Sequence, residues 1–242
     1  MRVALFATCL VDTVAPQVAM ATARLLERLG HEVVVPAGQA CCGQMHVNTG
    51  YRREAVPIVA NHVRAFAGAE AIVSPSGSCV ASIHHQQAMV LRRAGEDELA
   101  AEAEALAERT HELSQFLVKR LGRHRFRSVV GGRLTYHDSC HLLRGLHESQ
   151  SPRALLRGLA GAEFVELPGA DECCGFGGSF SVRLPEVSAA ILDKKLASVE
   201  ATGADCVVAC DAGCLMQMRG GLSRRGSRVR AVHLAEVLGE LE

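Results

Sequence analysis

Cysteine is the residue type whose number and spacing in this chain indicate chemistry. Eight of the ten cysteines form two sets of four, and equivalent members of the sets lie 131 to 135 residues apart. The first set is Cys9, Cys41, Cys42 and Cys79, and the second is Cys140, Cys173, Cys174 and Cys214. The adjacent pair in each set is followed directly by a glycine. The pattern therefore predicts a duplicated four-thiol framework.

Four thiols at this spacing favour a polynuclear iron–sulfur cluster. Thiolate is a soft ligand that favours zinc, copper(I) and iron–sulfur clusters. A single zinc ion is usually held by two short hairpins of the form C-x₂₋₄-C, and neither set has that layout. Adjacent cysteines in an extended turn are expected to point in diverging directions, which suits binding to two irons of one cluster. We therefore predict that all eight thiols bind metal.

Glycines beside the cysteine pairs are predicted to bind the cofactor through their backbone. Gly43 follows the first pair, and Gly175, Gly177 and Gly178 follow the second. Glycine lets the backbone approach a cluster closely, and N–H groups placed there can donate to its sulfurs. Such donors would tune the reduction potential.

Two further cysteines and three histidines lie near the predicted thiol sites. Cys206 lies within an apolar run and is interpreted as structural. Cys210 precedes Cys214 by four residues and is included among the metal ligands, as a fifth thiolate or an exchange partner. A histidine could replace a ligand or carry protons, although at least two of the three are expected to be ordinary loop or strand-end residues. The three histidines are His46, His137 and His141.

Other interpretations of the cysteines stay open. They could be small buried hydrophobic residues, although packing explains a duplicated spacing poorly. A strained disulfide within either adjacent pair would suit a redox switch. A thiol–disulfide oxidoreductase could act through Cys173 and Cys174, or through Cys210 and Cys214. A zinc protein that serves as a scaffold is a further alternative, and the spacing argues against it.

Strands that alternate with helices must bring these distant thiols together. In the first half, the predicted strands are 2–7, 31–35 and 71–74, and the predicted helices are 14–29 and 51–67. A long helix is expected over 96–121, with a possible turn near 109–112. The cysteines of the first set then lie at the carboxyl edge of a parallel sheet, where binding sites form.

The second half repeats this order of elements. Its predicted strands are 134–137, 163–167 and 204–209, and its predicted helices are 152–159 and 184–201. We therefore predict an α/β protein of two pseudo-symmetric three-layer α/β/α units with mainly parallel sheets, produced by internal duplication. The expected domains are residues 1–122 and 133–242, joined by the segment 122–132 with its arginines and glycines.

Composition argues against several other classes of protein. The chain has 26 basic and 26 acidic residues, two tyrosines and no tryptophan, which leaves little surface for nucleic acid. It has no apolar run of membrane-spanning length, and Met1–Phe6 is more typical of a first strand than of a signal peptide. The expected location is the cytoplasm, where thiols stay reduced unless they are catalytic or metal-bound. Motifs for phosphate binding, dinucleotide binding and hydrolysis are absent, so we expect no complete active site in this chain.

The repeated Cys…Cys-Cys-Gly…Cys unit resembles the cysteine-rich domain family over essentially the whole chain. That family includes the B subunit of heterodisulfide reductase and the iron–sulfur subunit of glycolate oxidase. A free-standing chain of this length is most similar to the lactate utilisation group. The resemblance implies one component of an L-lactate oxidising system that yields pyruvate, with electron transfer through one or two [4Fe–4S] clusters. The implied partners are two other proteins of that system, one of which carries ferredoxin-like iron–sulfur motifs.

The sequence departs from the family where each unit should end in Cys-x-x-Cys. Ser76 replaces the first cysteine of that pair in the first copy, and Asp211 replaces it in the second. By the resemblance, five thiolates can hold a non-cubane [4Fe–4S] cluster, whereas four leave an ordinary [4Fe–4S] cluster possible. A fifth ligand would have to come from Cys210, or as an oxygen from Ser76 or Asp211.

Overall fold

A computed structural model describes residues 1–241 of the chain. The chain divides into two compact units, Met1–Phe116 and a second unit that begins at Leu117. Each unit has its own β-sheet. Within residues 1–241, no helix has the length and apolar character needed to cross a membrane.

Four parallel strands form the sheet of the first unit. They are β1 (Arg2–Leu5), β2 (Glu32–Val34), β3 (Ala71–Ser74) and β4 (Thr110–Glu112). Their order in the sheet is β2-β1-β3-β4, and every neighbouring pair is parallel. After β1 the chain forms β2 on one flank of β1, and after β3 it forms β4 on the opposite flank of the sheet. The topological switch point therefore lies between the adjacent strands β1 and β3. Sheets of this kind place their binding sites at that point, beyond the carboxyl ends of the strands.

Helices connect the strands of the first unit. They are α1 (Cys9–Val14), α2 (Pro16–Arg28), α3 (Gln44–Asn48), α4 (Arg52–Phe66), α5 (Gly77–Ser82), α6 (Ala88–Arg93), α7 (Asp97–Glu108) and α8 (Leu113–Gln115). A π-helical segment, Ile83–Gln87, joins α5 to α6. The buried ring of Phe6 packs edge-on against Phe66 on α4, with 5.4 Å between ring centroids. This apolar cluster also contains Cys42 and Cys79, so the core of the unit supports the cysteines directly.

The second unit repeats this topology and adds one strand. Its strands are β5 (Phe126–Tyr136), β6 (Leu159–Phe164), β7 (Cys206–Ala209), β8 (Arg230–His233) and β9 (Leu238–Leu241). The order β6-β5-β7-β8 is parallel throughout and matches the order of the first sheet, while β9 runs antiparallel to the start of β5. The helices are α9 (Cys140–Gly145), α10 (Gln150–Arg157), α11 (Ser179–Arg183), α12 (Pro185–Ala201), α13 (Ala212–Arg224) and α14 (Leu234–Val237). The predicted α/β fold with two similar units and mainly parallel sheets is confirmed.

Some local predictions differ from the structure. The helix expected over 96–121 is interrupted, because Thr110–Glu112 pairs with β3 as the edge strand β4. The strand expected at 163–167 starts earlier, at Leu159, and ends at Phe164. Residues 126–132, within the expected linker, form the first part of β5 because both β6 and β9 pair with them.

A buried ion pair holds the loop that leads into the second cysteine set. Arg153 on α10 donates to both carboxylate oxygens of Asp138, at 2.8 Å each. The two side chains are only 11% and 5% exposed. A paired arrangement of two parallel hydrogen bonds is strong and directional. It therefore fixes the loop between β5 and α9, which leads directly to Cys140.

Arg153→Met is expected to lower the free energy of unfolding of the second unit by about 3–5 kcal/mol, because it leaves the Asp138 charge buried without its partner. The measurement is urea denaturation followed by circular dichroism. The matched control is Arg133→Met, whose ion pair with Glu163 is exposed and should contribute less than about 1 kcal/mol. Equal losses for the two variants would contradict the structural role of the Asp138 pair.

Candidate functional site

The four cysteines of the first set meet at the carboxyl edge of the first sheet. Cys9 is the first residue of α1, just past β1, and Cys79 is the third residue of α5, just past β3. Cys41 and Cys42 lie in the loop before α3. The sulfurs of Cys9 and Cys41 are 3.7 Å apart, and the thiol of Cys42 interacts with both Cys41 and Cys79. The switch point of the sheet thus gathers thiols from three separate parts of the chain.

The second set has the same placement. Cys140 is the first residue of α9, and Cys214 is the third residue of α13. The thiol of Cys174 interacts with those of Cys173 and Cys214, and Cys140 lies within electrostatic range of Cys173. Burial is also repeated between the sets. The second cysteine of each adjacent pair and the last cysteine of each set are buried, whereas the other two are half-buried.

The two thiols of each adjacent pair interact with each other, so the expectation that they diverge is wrong. In both pairs the backbone folds so that the N–H of the following glycine lies next to the sulfur of the first cysteine. The N–H of Gly43 donates to Sγ of Cys41 at 3.4 Å, and the N–H of Gly175 donates to Sγ of Cys173 at 3.3 Å. A backbone donor at this position stabilises negative charge on the sulfur.

The thiols of the first set share their protons. Hydrogen bonds from Cys42 and Cys9 lower the pKa of Cys41 far below its usual value, and His46 on α3 adds to this effect. The same contact with Cys41 raises the pKa of Cys9. Cys41 is therefore the hydrogen-bond acceptor among these thiols, and Cys9 and Cys42 are its donors. Because a metal binds thiolates, it must displace these shared protons.

The thiols of the second set are held protonated. The contact with Cys174 raises the pKa of Cys173, and burial raises that of Cys140. The contact with Cys174 lowers the pKa of Cys214, but burial together with the charges of Asp211 and Cys140 outweighs it, and the net shift is upward. A cation that binds this set must release thiol protons as well.

Gly43 and Gly175 adopt backbone conformations that favour glycine. Their φ angles are +89° and +86°. A Cβ on Gly175 would lie 2.5 Å from the carbonyl oxygen of Ser188, and one on Gly43 would lie 2.8 Å from a methyl carbon of Val59. The absence of a side chain therefore lets the first cysteine turn sit directly on α4 and the second directly on α12. Gly177 and Gly178 form the turn into α11, and their role in cofactor binding stays a prediction.

Gly175→Ala is expected to lower the free energy of unfolding of the second unit. A residue with a Cβ costs roughly 1–2 kcal/mol in the left-handed conformation, and the loss should exceed this because the backbone of α12 must also move. Gly161→Ala is the matched control, since Gly161 has the same φ of +86° but nothing within 4 Å of its Cβ position. Urea denaturation measures both variants. If Gly175→Ala lowered the free energy of unfolding no more than Gly161→Ala, the close approach of Gly175 to Ser188 would not affect stability.

The two remaining cysteines lie on or just after β7. Cys206 is buried within the strand, and Nη2 of Arg230 lies 3.2 Å from its sulfur. Cys210 follows the strand, is fully buried, and accepts a hydrogen bond from the hydroxyl of Tyr136 at 3.6 Å. Its role as a metal ligand stays a prediction.

The residues that replace the first cysteine of each terminal pair are helix N-caps. Ser76 caps α5, and its hydroxyl accepts a hydrogen bond from the backbone N–H of Cys79 at 3.4 Å. Asp211 is the corresponding residue of α13 and raises the pKa of Cys214 electrostatically. Ser76 thus helps to orient the last cysteine of the first set.

His137 is a histidine in the middle of the second set. A ring nitrogen lies within 4.8 Å of the sulfurs of Cys174 and Cys214. The side chain is 1% exposed, and within residues 1–241 neither ring nitrogen makes a hydrogen bond of normal geometry. Burial lowers the pKa of His137 to about 3. His141 lies nearer the surface, with Nδ1 3.5 Å from Sγ of Cys140.

A buried lysine near the second set was missed by the sequence analysis. Lys195 on α12 is 1% exposed. Its ammonium donates to the carbonyl oxygens of Gly169 at 2.6 Å and Ala170 at 3.4 Å, in the loop before the cysteine pair. Burial lowers the pKa of Lys195, and the charge interacts with Cys174. Nothing in the pattern of the α12 sequence distinguishes this lysine from a solvated one.

A buried histidine also supports the first set. His62 on α4 is fully buried, and its Nδ1 lies 3.2 Å from the side-chain amide nitrogen of Gln87. That amide donates to the backbone oxygen of Cys42 at 3.1 Å. Burial lowers the pKa of His62 to about 4, so the ring is neutral near neutral pH.

His62 is expected to make the first unit less stable in acid. Its pKa is about 4 in the folded state and about 6.5 in the unfolded chain, so the unfolded chain binds the proton first as pH falls. The contribution is fully present above pH about 6.5 and is lost by pH about 4, an effect of about 3 kcal/mol. Urea denaturation at several pH values should show a shallower pH dependence for His62→Leu. The control His124→Gln removes an exposed histidine, and an unchanged slope in His62→Leu would refute the assignment.

Comparison with known proteins places these sites in a family. Residues 3–84 and 134–219 each match the cysteine-rich domain, so the chain belongs to the cysteine-rich domain family and carries two copies of its domain. It is 43% identical to Lactate utilization protein A of Halalkalibacterium halodurans, over all of this chain and 98% of that protein. It is 44% identical to the protein of the same name from Geobacillus thermodenitrificans, over 98% of each chain. The resemblance noted from the cysteine motifs is confirmed.

A solved structure shows the same fold at low sequence identity. A hypothetical protein from Helicobacter pylori matches 97% of this chain with a TM-score of 0.56 and 12% identity. This chain spans 47% of the length of that one. The likeness shows the fold alone.

The residues of each site fit a metal cluster held by thiolates. Each site offers four sulfurs, two of them buried against the apolar core. Sulfur donors suit soft metals and iron–sulfur clusters. The unpaired ring nitrogens of His137 are the kind of buried polar atoms that a bound group satisfies.

Proposed function

We propose that this chain is the iron–sulfur electron-transfer component of a multi-protein system that oxidises L-lactate to pyruvate. The observation that carries the proposal is the repeated four-thiol site at the switch point of each sheet. The full-length similarity to proteins named Lactate utilization protein A supports the choice of lactate. The chain would be a subunit of an oxidoreductase complex, without a complete active site of its own.

Each unit would hold its cluster through the same four positions. The proposed ligands are Cys9, Cys41, Cys42 and Cys79 in the first unit and Cys140, Cys173, Cys174 and Cys214 in the second, with Cys210 as a further candidate. The cofactor would be a [4Fe–4S] cluster, one or two per chain. When bound, it supplies a site that gains and loses single electrons.

The protein's own residues would control that site through burial and charge. Buried Cys42 and Cys174 lie against the apolar core and keep water from the inner side. The backbone N–H groups of Gly43 and Gly175 donate to the sulfurs of Cys41 and Cys173 and would stabilise negative charge on them when a metal is bound. The ammonium of Lys195 offsets further negative charge in the second unit. Gly177 and Gly178 would let the backbone approach the second cluster.

Electron exchange would take place at the half-buried side of each site. Cys9 and Cys41 are partly exposed in the first unit, and Cys140 and Cys173 are partly exposed in the second. The proposed partners are the other proteins of the lactate system, including a ferredoxin-like iron–sulfur protein. We place the system in the cytoplasm and propose no nucleic-acid partner.

A second candidate function is a thiol–disulfide oxidoreductase, favoured by the Cys9–Cys41 contact. Contacts with Cys42 and Cys9 lower the pKa of Cys41, and its sulfur lies 3.7 Å from that of Cys9. Cys41 would attack a substrate disulfide, form a mixed disulfide and release one substrate thiolate. Cys9 would then lose its proton, form the Cys9–Cys41 disulfide and release the second substrate thiolate. The substrate gains two electrons and the cysteine pair loses two.

Protein purified without oxygen is expected to be brown and to contain about four irons and four labile sulfides for each loaded site. Cys174→Ser should remove the iron of the second unit, because it deletes a buried ligand. Cys206→Ser changes a buried cysteine outside both sets and should leave the iron content unchanged. Iron and sulfide assays with a visible spectrum measure all three proteins. Absence of iron after reconstitution, together with metal-free disulfide reduction that Cys41→Ser abolishes, would favour the second candidate.

A further inference from the structure

The two copies differ at one position beside the inner thiols. His137 follows β5 and Phe6 follows β1, each three residues before the first cysteine of its set. The backbone N–H of His137 donates to Val208 on β7 at 2.9 Å, and that of Phe6 donates to Val73 on β3 at 2.9 Å. The two residues are therefore structurally equivalent. One copy has an apolar ring at this position, and the other has an imidazole.

The surroundings of Phe6 suit its apolar ring, whereas the surroundings of His137 do not satisfy its imidazole. Phe6 packs edge-on against the rings of His62 and Phe66, as expected of a core residue. His137 is buried to the same degree, yet its two ring nitrogens have no partner of normal geometry within residues 1–241. Burying an imidazole without hydrogen bonds is unfavourable. A buried polar group of this kind indicates a bound group that the protein is built to hold.

Distances identify the atoms that would share this group. A ring nitrogen of His137 and the sulfurs of Cys174 and Cys214 all lie within 4.8 Å of one another. Ligand atoms bound to one metal at about 2.0–2.3 Å lie roughly 3–4 Å apart when the geometry is tetrahedral. Small side-chain movements would therefore bring all three atoms onto a common centre.

We propose that His137 is a metal ligand of the second site, binding through a ring nitrogen beside Cys174 and Cys214. The inference rests on the metal-binding part of the proposed function. Imidazole is an established ligand for iron and zinc, and it adds no negative charge, unlike thiolate. The second site then has a mixed nitrogen and sulfur donor set, whereas the first site, with Phe6 at the equivalent position, has thiolates alone.

The mixed donor set has a consequence for redox behaviour. If His137 takes the place of one of the four thiolates, the reduction potential of an iron–sulfur centre rises, because the reduced form carries less negative charge. The nearby ammonium of Lys195 acts in the same direction. We therefore infer that the second site has the higher potential of the two and is the one reduced first.

The test uses the full chain, labelled with ¹⁵N-histidine, reconstituted with iron and sulfide without oxygen, and reduced. Pulsed electron paramagnetic resonance should show a strong coupling between the reduced iron–sulfur centre and a histidine nitrogen in the wild-type protein. This first measurement does not depend on whether any variant folds. His137→Phe, which copies the residue of the first unit, should lose the coupling. His137→Cys should also lose it while still binding iron. His141→Ala is the control, because His141 lies beside Cys140 and its removal should leave the coupling unchanged.

The outcomes separate this inference from the proposed function. Iron and sulfide in the wild-type protein without strong nitrogen coupling, or a coupling that persists in His137→Phe, would refute the ligand and leave the cluster in place. If the wild-type protein takes up no iron, the proposed function fails, and Co²⁺ titration of the same proteins then decides the ligand. Weaker Co²⁺ binding and a shifted visible spectrum in His137→Phe would support His137 as a ligand. Identical titrations for His137→Phe and the wild type would overturn it.

Discussion

The convergence of thiols from distant parts of the chain is the constraint on which both units depend. Four sulfurs crowd together, and the first set accommodates them through shared protons, with Cys41 as acceptor and Cys9 and Cys42 as donors. A rigid support keeps such a group assembled, because the loss of further protons would place like charges next to one another. The support is the edge of a parallel sheet, where two central strands end side by side and each leads into a helix. The sheet order β2-β1-β3-β4 and its copy β6-β5-β7-β8 both place two central strands, and the helices that follow them, side by side.

Duplication preserved the support and allowed its surroundings to diverge. Gly43 and Gly175 keep a similar φ and the same N–H···S contact, because the first cysteine turn must sit close to α4 and the second close to α12. Around this shared frame, the first unit has the ring of Phe6 where the second has the imidazole of His137. The second unit also contains the buried ammonium of Lys195 and the Asp138–Arg153 pair. The two sites therefore share a geometry and differ in their electrostatics.

The sequence predicted the parts of the structure that follow from local pattern. Ala71–Ser74 is a strand as predicted, because four apolar or small residues lie between turn residues and are buried on both faces. Thr110–Glu112 was missed, since a three-residue edge strand inside an alanine- and glutamate-rich run carries no period of its own and forms only by pairing with β3. The two cysteine sets could be recognised from the sequence because the same spacing occurs twice.

The electrostatic parts of the sites could not be predicted in the same way. Lys195 lies on a helix with charged residues on several faces, and only the packing of α12 shows that this ammonium is buried against the cysteine loop. His137 was visible as a neighbour of the thiols, but its missing hydrogen bonds are a property of the folded chain. The interaction between adjacent thiols also depends on the turn conformation at Gly43 and Gly175. Such features arise from tertiary contacts that no single segment encodes.

The division of each set into half-buried and buried sulfurs would set an order of assembly for the proposed cluster. An arriving iron ion would meet the half-buried sulfurs first, and in the first unit one of these belongs to Cys41, whose pKa is lowered by its neighbours. The sulfurs of Cys42 and Cys79 are buried and would bind later. Attack by oxidants or chelators would begin at the same half-buried sulfurs.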